Sequence, residues 1–198
     1  MDNKTNTNVL IIGVGGTGSH AVDLLYSKIE EIGHLTNNRI RTIVFDTDEA
    51  DIGKIQGATK IPLADHCTVG TAVDRLGNEQ IEEWFPCWCG DDAEKRGKVD
   101  GTNYRGQDMA TGANQWRKKS FLAFENLMLD SNRRRQFDQA LDEFYAAGGA
   151  NGLYEIFTVA SIAGGTGSGS FIPIALFAKR YLCNTMHRDP MVNAMIAL

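Results

Sequence analysis

The sequence predicts an α/β fold, a Rossmann-like three-layer sandwich in which helices cover both faces of a mostly parallel β-sheet. Short apolar runs typical of buried strands alternate along the chain with longer runs of helical periodicity. Glycine-rich loops join such a strand to such a helix in more than one place. The chain has 198 residues, the size of roughly one domain, so we expect a single sandwich.

A βαβ unit is predicted near the start of the chain. Residues 8–13 form a β-branched run closed by glycine, which is typical of a buried strand, and residues 18–32 carry an apolar stripe at helical spacing. Residues 40–46 predict a second strand, which ends on an acidic residue. A unit of this length pairs its strands in parallel through a right-handed crossover.

The middle of the chain is less regular. We expect residues 49–70 to lack regular structure and residues 71–85 to contain a helix. Residues 86–108 are polar and rich in turn-forming residues, which indicates an excursion on the surface rather than part of the core.

The second half of the chain returns to alternating elements. A glycine loop at 111–114 leads into an aromatic-rich helix, and residues 131–147 predict another helix that ends at glycines. Residues 154–161 predict a strand, followed by a helix to about Leu182 and a strand-like run at the end. Because a buried strand is an unusual natural terminus, we expect residues 1–198 to be the front part of a longer protein.

Composition and charge argue against several functions. The formal net charge of −5 does not indicate binding to nucleic acid or to an anionic membrane. No apolar run is long enough to predict a membrane span. The polar N-terminus lacks an export signal, and the cysteines lack the spacing of a zinc site. These features favour a cytoplasmic protein with free thiols.

The pentapeptide GGTGS occurs twice, at 15–19 and at 164–168. Each copy follows a predicted strand and precedes a predicted helix. In parallel sheets, ligands bind at the carboxyl ends of the strands where the strand order reverses, so we expect the two copies to be neighbours there. Glycine loops at helix N-termini offer backbone N–H groups to an anion, and two such loops suit a chain of phosphates.

Further polar residues are expected at the same edge of the sheet. The loop at 111–114 would enclose the phosphates from another side. Asp46 and Asp48 lie at the end of the second strand, where acids bind a ribose hydroxyl or face Mg²⁺ through water. Neither copy of GGTGS is followed by the lysine of a Walker loop. Backbone amides and a metal ion would therefore have to compensate the phosphate charge.

One alternative is a dinucleotide-binding or adenylating enzyme. Gly13, Gly15 and Gly18 match the G-x-G-x-x-G fingerprint of NAD-binding proteins, and Asp46 lies near the position of the ribose-binding acid. The first loop is also similar to that of enzymes that adenylate ubiquitin-like proteins. Both alternatives leave the second GGTGS and the segment ATGANQ without a role.

The second copy resembles a known phosphate loop. The segment AGGTGSGSFIP resembles the GGGTG[ST]G loop of the tubulin/FtsZ superfamily, and three other segments follow in the order of that family. GVGGTGSHAV resembles its first loop, FDTDEADI its second and ATGANQWRKKSFLAF its third. The sequence is similar in style to divergent bacterial tubulin-like proteins. It departs from the family at Ala163, which replaces the first glycine of the loop, and at 86–108, which has no counterpart.

The resemblance implies a site for GTP or GDP with Mg²⁺. The first loop would be lined by Gly15, Gly16, Thr17, Gly18, Ser19 and His20. Asp46 and Asp48 would lie near the phosphates or the metal. The γ-phosphate would be sensed by Thr111, Gly112, Ala113 and Asn114. The α- and β-phosphates would be wrapped by Gly164, Gly165, Thr166, Gly167 and Ser168.

The resemblance also implies head-to-tail self-assembly into a filament. An acidic loop of the neighbouring subunit would complete GTP hydrolysis, so no catalytic residue of this chain is assigned. The family's base-contacting residues are expected beyond residue 198, and the choice of guanine over adenine therefore stays open at this point. A further alternative is a scaffold that keeps the fold and the nucleotide without turnover.

Overall fold

A computed structural model describes residues 7–33, 39–76, 98–99, 102–103, 105–149 and 152–198. The strands are β1 Thr7–Val14, β2 Ile40–Asp46, β3 Thr59–Pro62, β4 Lys98–Val99, β5 Thr102–Asn103, β6 Leu153–Ser161 and β7 Met191–Ala197. The helices are α1 Gly15–Glu31, α2 Glu49–Gly53, α3 Val69–Asp74, α4 Arg117–Leu129, α5 Ser131–Gly148 and α6 Gly165–Met186. Most of the predicted excursion at 86–108, and residues 77–85 of the predicted helix, lie outside the described residues.

The main sheet has five parallel strands in the order β3-β2-β1-β6-β7. β1 lies between β2 and β6, in registers that pair Val14 with Phe45 on one side and with Ala160 on the other. β4 and β5 form a separate antiparallel pair. The chain therefore leaves β1 for one half of the sheet and later returns to β6 beside it, so the strand order reverses next to β1.

Helices cover both faces of this sheet. Alternate strand residues point to opposite faces, so Leu10 and Ile12 belong to one buried cluster and Ile11 to another. The larger cluster lies under α3, α4, α5 and α6, and its aromatic centre is Phe137, whose ring lies 4.8 Å from Phe45 and 5.0 Å from Phe177. The smaller cluster lies under α1 and α2. This arrangement confirms the predicted three-layer α/β sandwich.

The prediction that residues 49–70 are irregular was wrong. The segment contains α2, β3 and the start of α3. These elements are too short to show periodicity, and only Ile61 of the four residues of β3 is buried. α2 forms because the Asp48 carboxylate accepts hydrogen bonds from the backbone of Ala50 and Asp51, at 2.9 and 3.2 Å, which caps the helix.

The predicted last helix is longer than expected. α6 continues four residues past Leu182 to Met186 and ends where His187 takes a left-handed conformation, with φ 54°. Among the described helices, none combines the length and the apolar composition needed to cross a lipid bilayer.

Candidate functional site

A cavity of about 260 Å³ opens at the carboxyl ends of β1, β2 and β6. The predicted site residues that line it are Gly15, Gly16, Thr17, Asp46, Asp48, Thr111, Gly112, Ala113, Asn114, Gly164, Gly165, Thr166 and Gly167. The structure thus brings both copies of GGTGS, the loop at 111–114 and the acids at the end of β2 to one place.

Two helices begin at this cavity. α1 starts at Gly15 and α6 at Gly165, and no side chain caps the first turn of either helix in the described structure. The first N–H groups of a helix have no partner within the helix, and the helix dipole places partial positive charge there. Both first turns line the cavity. The arrangement is suited to an anion with more than one negative group.

The two copies of GGTGS touch each other. Gly15 has φ 74°, and a Cβ placed on it would lie 2.8 Å from the backbone nitrogen of Gly167 and 3.3 Å from Cβ of Thr166. Only glycine adopts this conformation at so close an approach without strain. The expectation that the two loops are neighbours is confirmed by this contact.

The third glycine of each copy, Gly18 or Gly167, serves packing. A Cβ on Gly18 would lie 2.2 Å from the carbonyl oxygen of Val159 in β6, and a Cβ on Gly167 would lie 2.6 Å from that of Ser161. These glycines let α1 and α6 approach the sheet backbone closely. Gly18 does not line the cavity, whereas Gly167 does.

Three further predicted residues lie outside the cavity lining. Ser19 is buried, and its hydroxyl donates to the carbonyl of Phe45 at 3.5 Å. The Ser168 hydroxyl donates to the carbonyls of Gly164 and Gly165, within its own helix turn. His20 is exposed on α1. Contact of these three side chains with a ligand in the cavity stays a prediction.

The loop at 111–114 is held in a compact turn. Gly112, Asn114 and Gln115 all have positive φ, at 83°, 49° and 61°. Left-handed conformations in residues other than glycine are costly and cluster at functional sites. The loop is tied to the end of β2, because the Gly112 amide donates to the carbonyl of Thr47 at 3.3 Å.

The same loop rests on the start of α6. A Cβ on Gly165 would lie 2.8 Å from Cβ of Ala113 and from the backbone nitrogen of Gln115. The three glycine loops therefore form one packed unit, in which a shift of one displaces the others.

Of the two acids at the end of β2, Asp46 is buried and Asp48 is partly exposed. Asp46 is only 4% exposed, and burial raises the pKa of its carboxyl, an effect that the charge of Asp51 increases. Hydrogen bonds oppose this shift, including one from the Asp48 amide at 3.1 Å and one from Thr166. The Thr166 hydroxyl also lies 2.6 Å from that of Thr47.

The contacts of the Thr166 side chain with Asp46 and Thr47 join the end of β2 to the second GGTGS.

Among the described residues, no group of three or more His, Cys, Asp or Glu is arranged to hold a metal ion by itself. A divalent cation at Asp46 and Asp48 would need ligands from a bound molecule.

Sequence reasoning missed several residues at this site. Val14, Asp51, Gln115 and Ser161 also line the cavity. Asp51 lies three residues after the acid that caps α2, and Gln115 directly follows the predicted loop. A prediction that extended each of these motifs by a few residues would have included both. Lys119 is fully buried, with its Nζ 2.5 Å from the carbonyl oxygen of Gly112. No sequence pattern indicates that this lysine points inward, because tertiary packing decides it.

Comparisons with known proteins give a family for the chain and solved structures of similar fold. A family model described as "Tubulin like" matches residues 10–197. In fold, the chain is similar to CetZ2 from Haloferax volcanii, described as a GTPγS bound protofilament, with a TM-score of 0.55 and 17% identity over 96% of this chain and 40% of that one. It is also similar to CetZ1 from Haloferax volcanii, described as a GDP bound monomer, with a TM-score of 0.53 and 13% identity over 94% of this chain and 41% of that one.

The chain spans about two-fifths of the length of these two structures. No curated protein matches the sequence.

Proposed function

Because this chain belongs to the tubulin-like family, we propose that it binds GTP or GDP with Mg²⁺ and is the nucleotide-binding part of a filament-forming GTPase. On this proposal residues 1–198 form one GTP-binding domain in a cytoplasmic protein. Both copies of GGTGS bind the same phosphate chain, from two sides.

One observation carries the proposal: two uncapped helix N-termini and the loop at 111–114 meet at a single cavity. A phosphate chain carries several negative charges in a row, and each helix start can bind one part of it. A dinucleotide-binding enzyme needs only the first of these loops for its pyrophosphate. The contact between Gly15 and the second loop is therefore better explained by one ligand that both loops share.

The residues present fit a magnesium nucleotide. Gly164 leaves the cavity wall open to phosphate oxygens, since a Cβ on it would have no neighbour within 4 Å. Asp46 and Asp48 would face the metal through water, with Thr166 orienting the Asp46 carboxylate. Bound Mg²⁺ offsets phosphate charge during hydrolysis. These carboxylates would position its waters.

Self-assembly is proposed to complete the catalytic site. An acidic loop of a neighbouring subunit would position the attacking water at the γ-phosphate, which the loop at 111–114 senses. The Haloferax volcanii structure described as a GTPγS bound protofilament supports the proposed self-assembly.

GTP hydrolysis per molecule is expected to rise with protein concentration, because each active site needs a second subunit. Phosphate release at increasing protein concentration, together with sedimentation of assemblies, measures this dependence. Turnover per molecule that stays constant would mean that each chain carries its own catalytic group. Binding without turnover at any concentration would favour the non-hydrolysing scaffold.

A further inference from the structure

Thr47 is a buried polar residue at the edge of the site. It lies between Asp46, the last residue of β2, and Asp48, the N-cap of α2. Both neighbours line the cavity, whereas Thr47 does not and is only 1% exposed. A buried hydroxyl group costs free energy unless it forms a hydrogen bond, so its partner indicates what the side chain does.

The hydroxyl of Thr47 is paired with that of Thr166 in the second GGTGS. The two oxygens lie 2.6 Å apart, and both residues are buried. Thr166 lines the cavity and belongs to the first turn of α6. Thr17, at the same position in the first copy of the pentapeptide, is exposed. Thr47 thus fixes the threonine of the second loop at the place where that loop faces the cavity.

The chemistry of the hydroxyl group gives this contact a direction. A threonine hydroxyl carries one proton and can therefore donate only one hydrogen bond. The Thr166 hydroxyl donates to the Asp46 carboxylate, which in its ionised form can only accept. The proton between the two threonines must then belong to Thr47, which donates to Thr166. The three side chains form one directed chain of hydrogen bonds, from Thr47 through Thr166 to Asp46.

The Asp46 carboxylate lies at the end of this chain. It also accepts from the backbone amides of Thr47 and Asp48, the latter at 3.1 Å. An amide points where the backbone holds it, whereas a hydroxyl rotates to suit its partners. Because the Thr47 hydroxyl donates to the oxygen of Thr166, the Thr166 proton is left for Asp46. Without the Thr47 hydroxyl, the same proton could turn to an oxygen of a bound phosphate.

We propose that Thr47 is a positioning residue, which acts through Thr166 to hold the Asp46 carboxylate toward a divalent cation bound with the nucleotide. The inference rests on the proposed function, because it takes a magnesium nucleotide as the ligand. Asp46 would meet the cation through water, so the orientation of its oxygens decides how well it binds that water. Groups that orient the ligands of a metal ion by hydrogen bonds typically contribute about 10–100-fold to metal affinity.

Two substitutions separate the hydroxyl from the rest of Thr47. Thr47→Val replaces the hydroxyl with a methyl group of similar size, and Thr47→Ser keeps the hydroxyl. Both leave the backbone carbonyl that accepts the Gly112 amide. Thr158→Val is the matched control, because Thr158 is buried in β6 outside the cavity lining. Its hydroxyl has no hydrogen-bond partner in the part of the chain that the structure describes.

Affinity for the non-hydrolysable analogue GMPPCP is measured for each protein, with Mg²⁺ and with EDTA, after circular dichroism has verified the fold. We expect Thr47→Val to lose about tenfold in affinity with Mg²⁺ and less than about threefold with EDTA. Thr47→Ser is expected to keep most of the affinity under both conditions, and the control to keep all of it.

A Thr47→Val variant that keeps the wild-type affinity, or that loses equally with Mg²⁺ and with EDTA, would overturn the inference. The hydroxyl would then only tie two loops together. Wild-type affinity that does not depend on Mg²⁺ would also overturn it, because Asp46 would have no cation to face. Wild-type protein that binds no GMPPCP under either condition would instead contradict the proposed function.

Discussion

Replacing Gly18 with alanine is expected to destabilise the protein by about 3 kcal/mol. The added Cβ would lie 2.2 Å from the carbonyl oxygen of Val159 and 3.1 Å from its carbonyl carbon. Both atoms belong to the backbone of β6, which lies next to β1 in the sheet. The clash cannot be relieved by turning a side chain, so α1 would have to move away from the sheet. Urea unfolding followed by circular dichroism measures the loss.

Gly53→Ala is the control for this substitution. Gly53 is the last residue of α2, and a Cβ on it would have no neighbour within 4 Å. Alanine is a better helix former than glycine by about 1 kcal/mol, so this variant is expected to be as stable as the wild type or slightly more stable. Wild-type stability of Gly18→Ala would show that α1 does not approach β6 as closely as described.

Replacing Gly164 with aspartate is expected to weaken nucleotide binding strongly while leaving the fold slightly more stable. Gly164 is the N-cap of α6, with φ −84° and ψ 157°, a conformation that any residue adopts. A carboxylate there would accept hydrogen bonds from the first turn of α6, which gains a few tenths of a kcal/mol over glycine. The carboxylate would also accept from the N–H groups that are proposed to bind the phosphates, and its negative charge would repel the phosphates. We expect GTP affinity to fall at least about 100-fold.

A variant that is more stable but binds GTP more weakly cannot have lost binding through general unfolding. Asn132→Asp is the matched control, because it adds one negative charge in the exposed first turn of α5, away from the cavity. Thermal unfolding and nucleotide titration are measured on both variants. Undiminished GTP binding by Gly164→Asp would exclude the start of α6 from the phosphate site.

The sequence predicted the fold because its main elements are long and strongly patterned. β1, β2 and β6 are β-branched runs, and the GGTGS copies mark where α1 and α6 begin. The rule that ligands bind where strand order reverses predicts that both loops lie together. Their contact between Gly15 and Gly167 follows from this topology.

The rest depended on tertiary packing. β3 is four residues long and takes its place from pairing with β2, which no local pattern encodes. The two copies of the pentapeptide have identical sequences, so the sequence does not predict that their threonines differ. Thr17 is exposed in one copy, while Thr166 is buried against Thr47 in the other. The inward direction of Lys119 depends on how α4 lies against the loop that precedes it.

Isothermal titration of this chain with GTP, ATP and NAD, in the presence of Mg²⁺, tests the central claim most directly. The proposed function predicts that GTP binds and that ATP and NAD do not compete with it. A preference for NAD or ATP would contradict this account, because the second GGTGS would then have no ligand to share with the first.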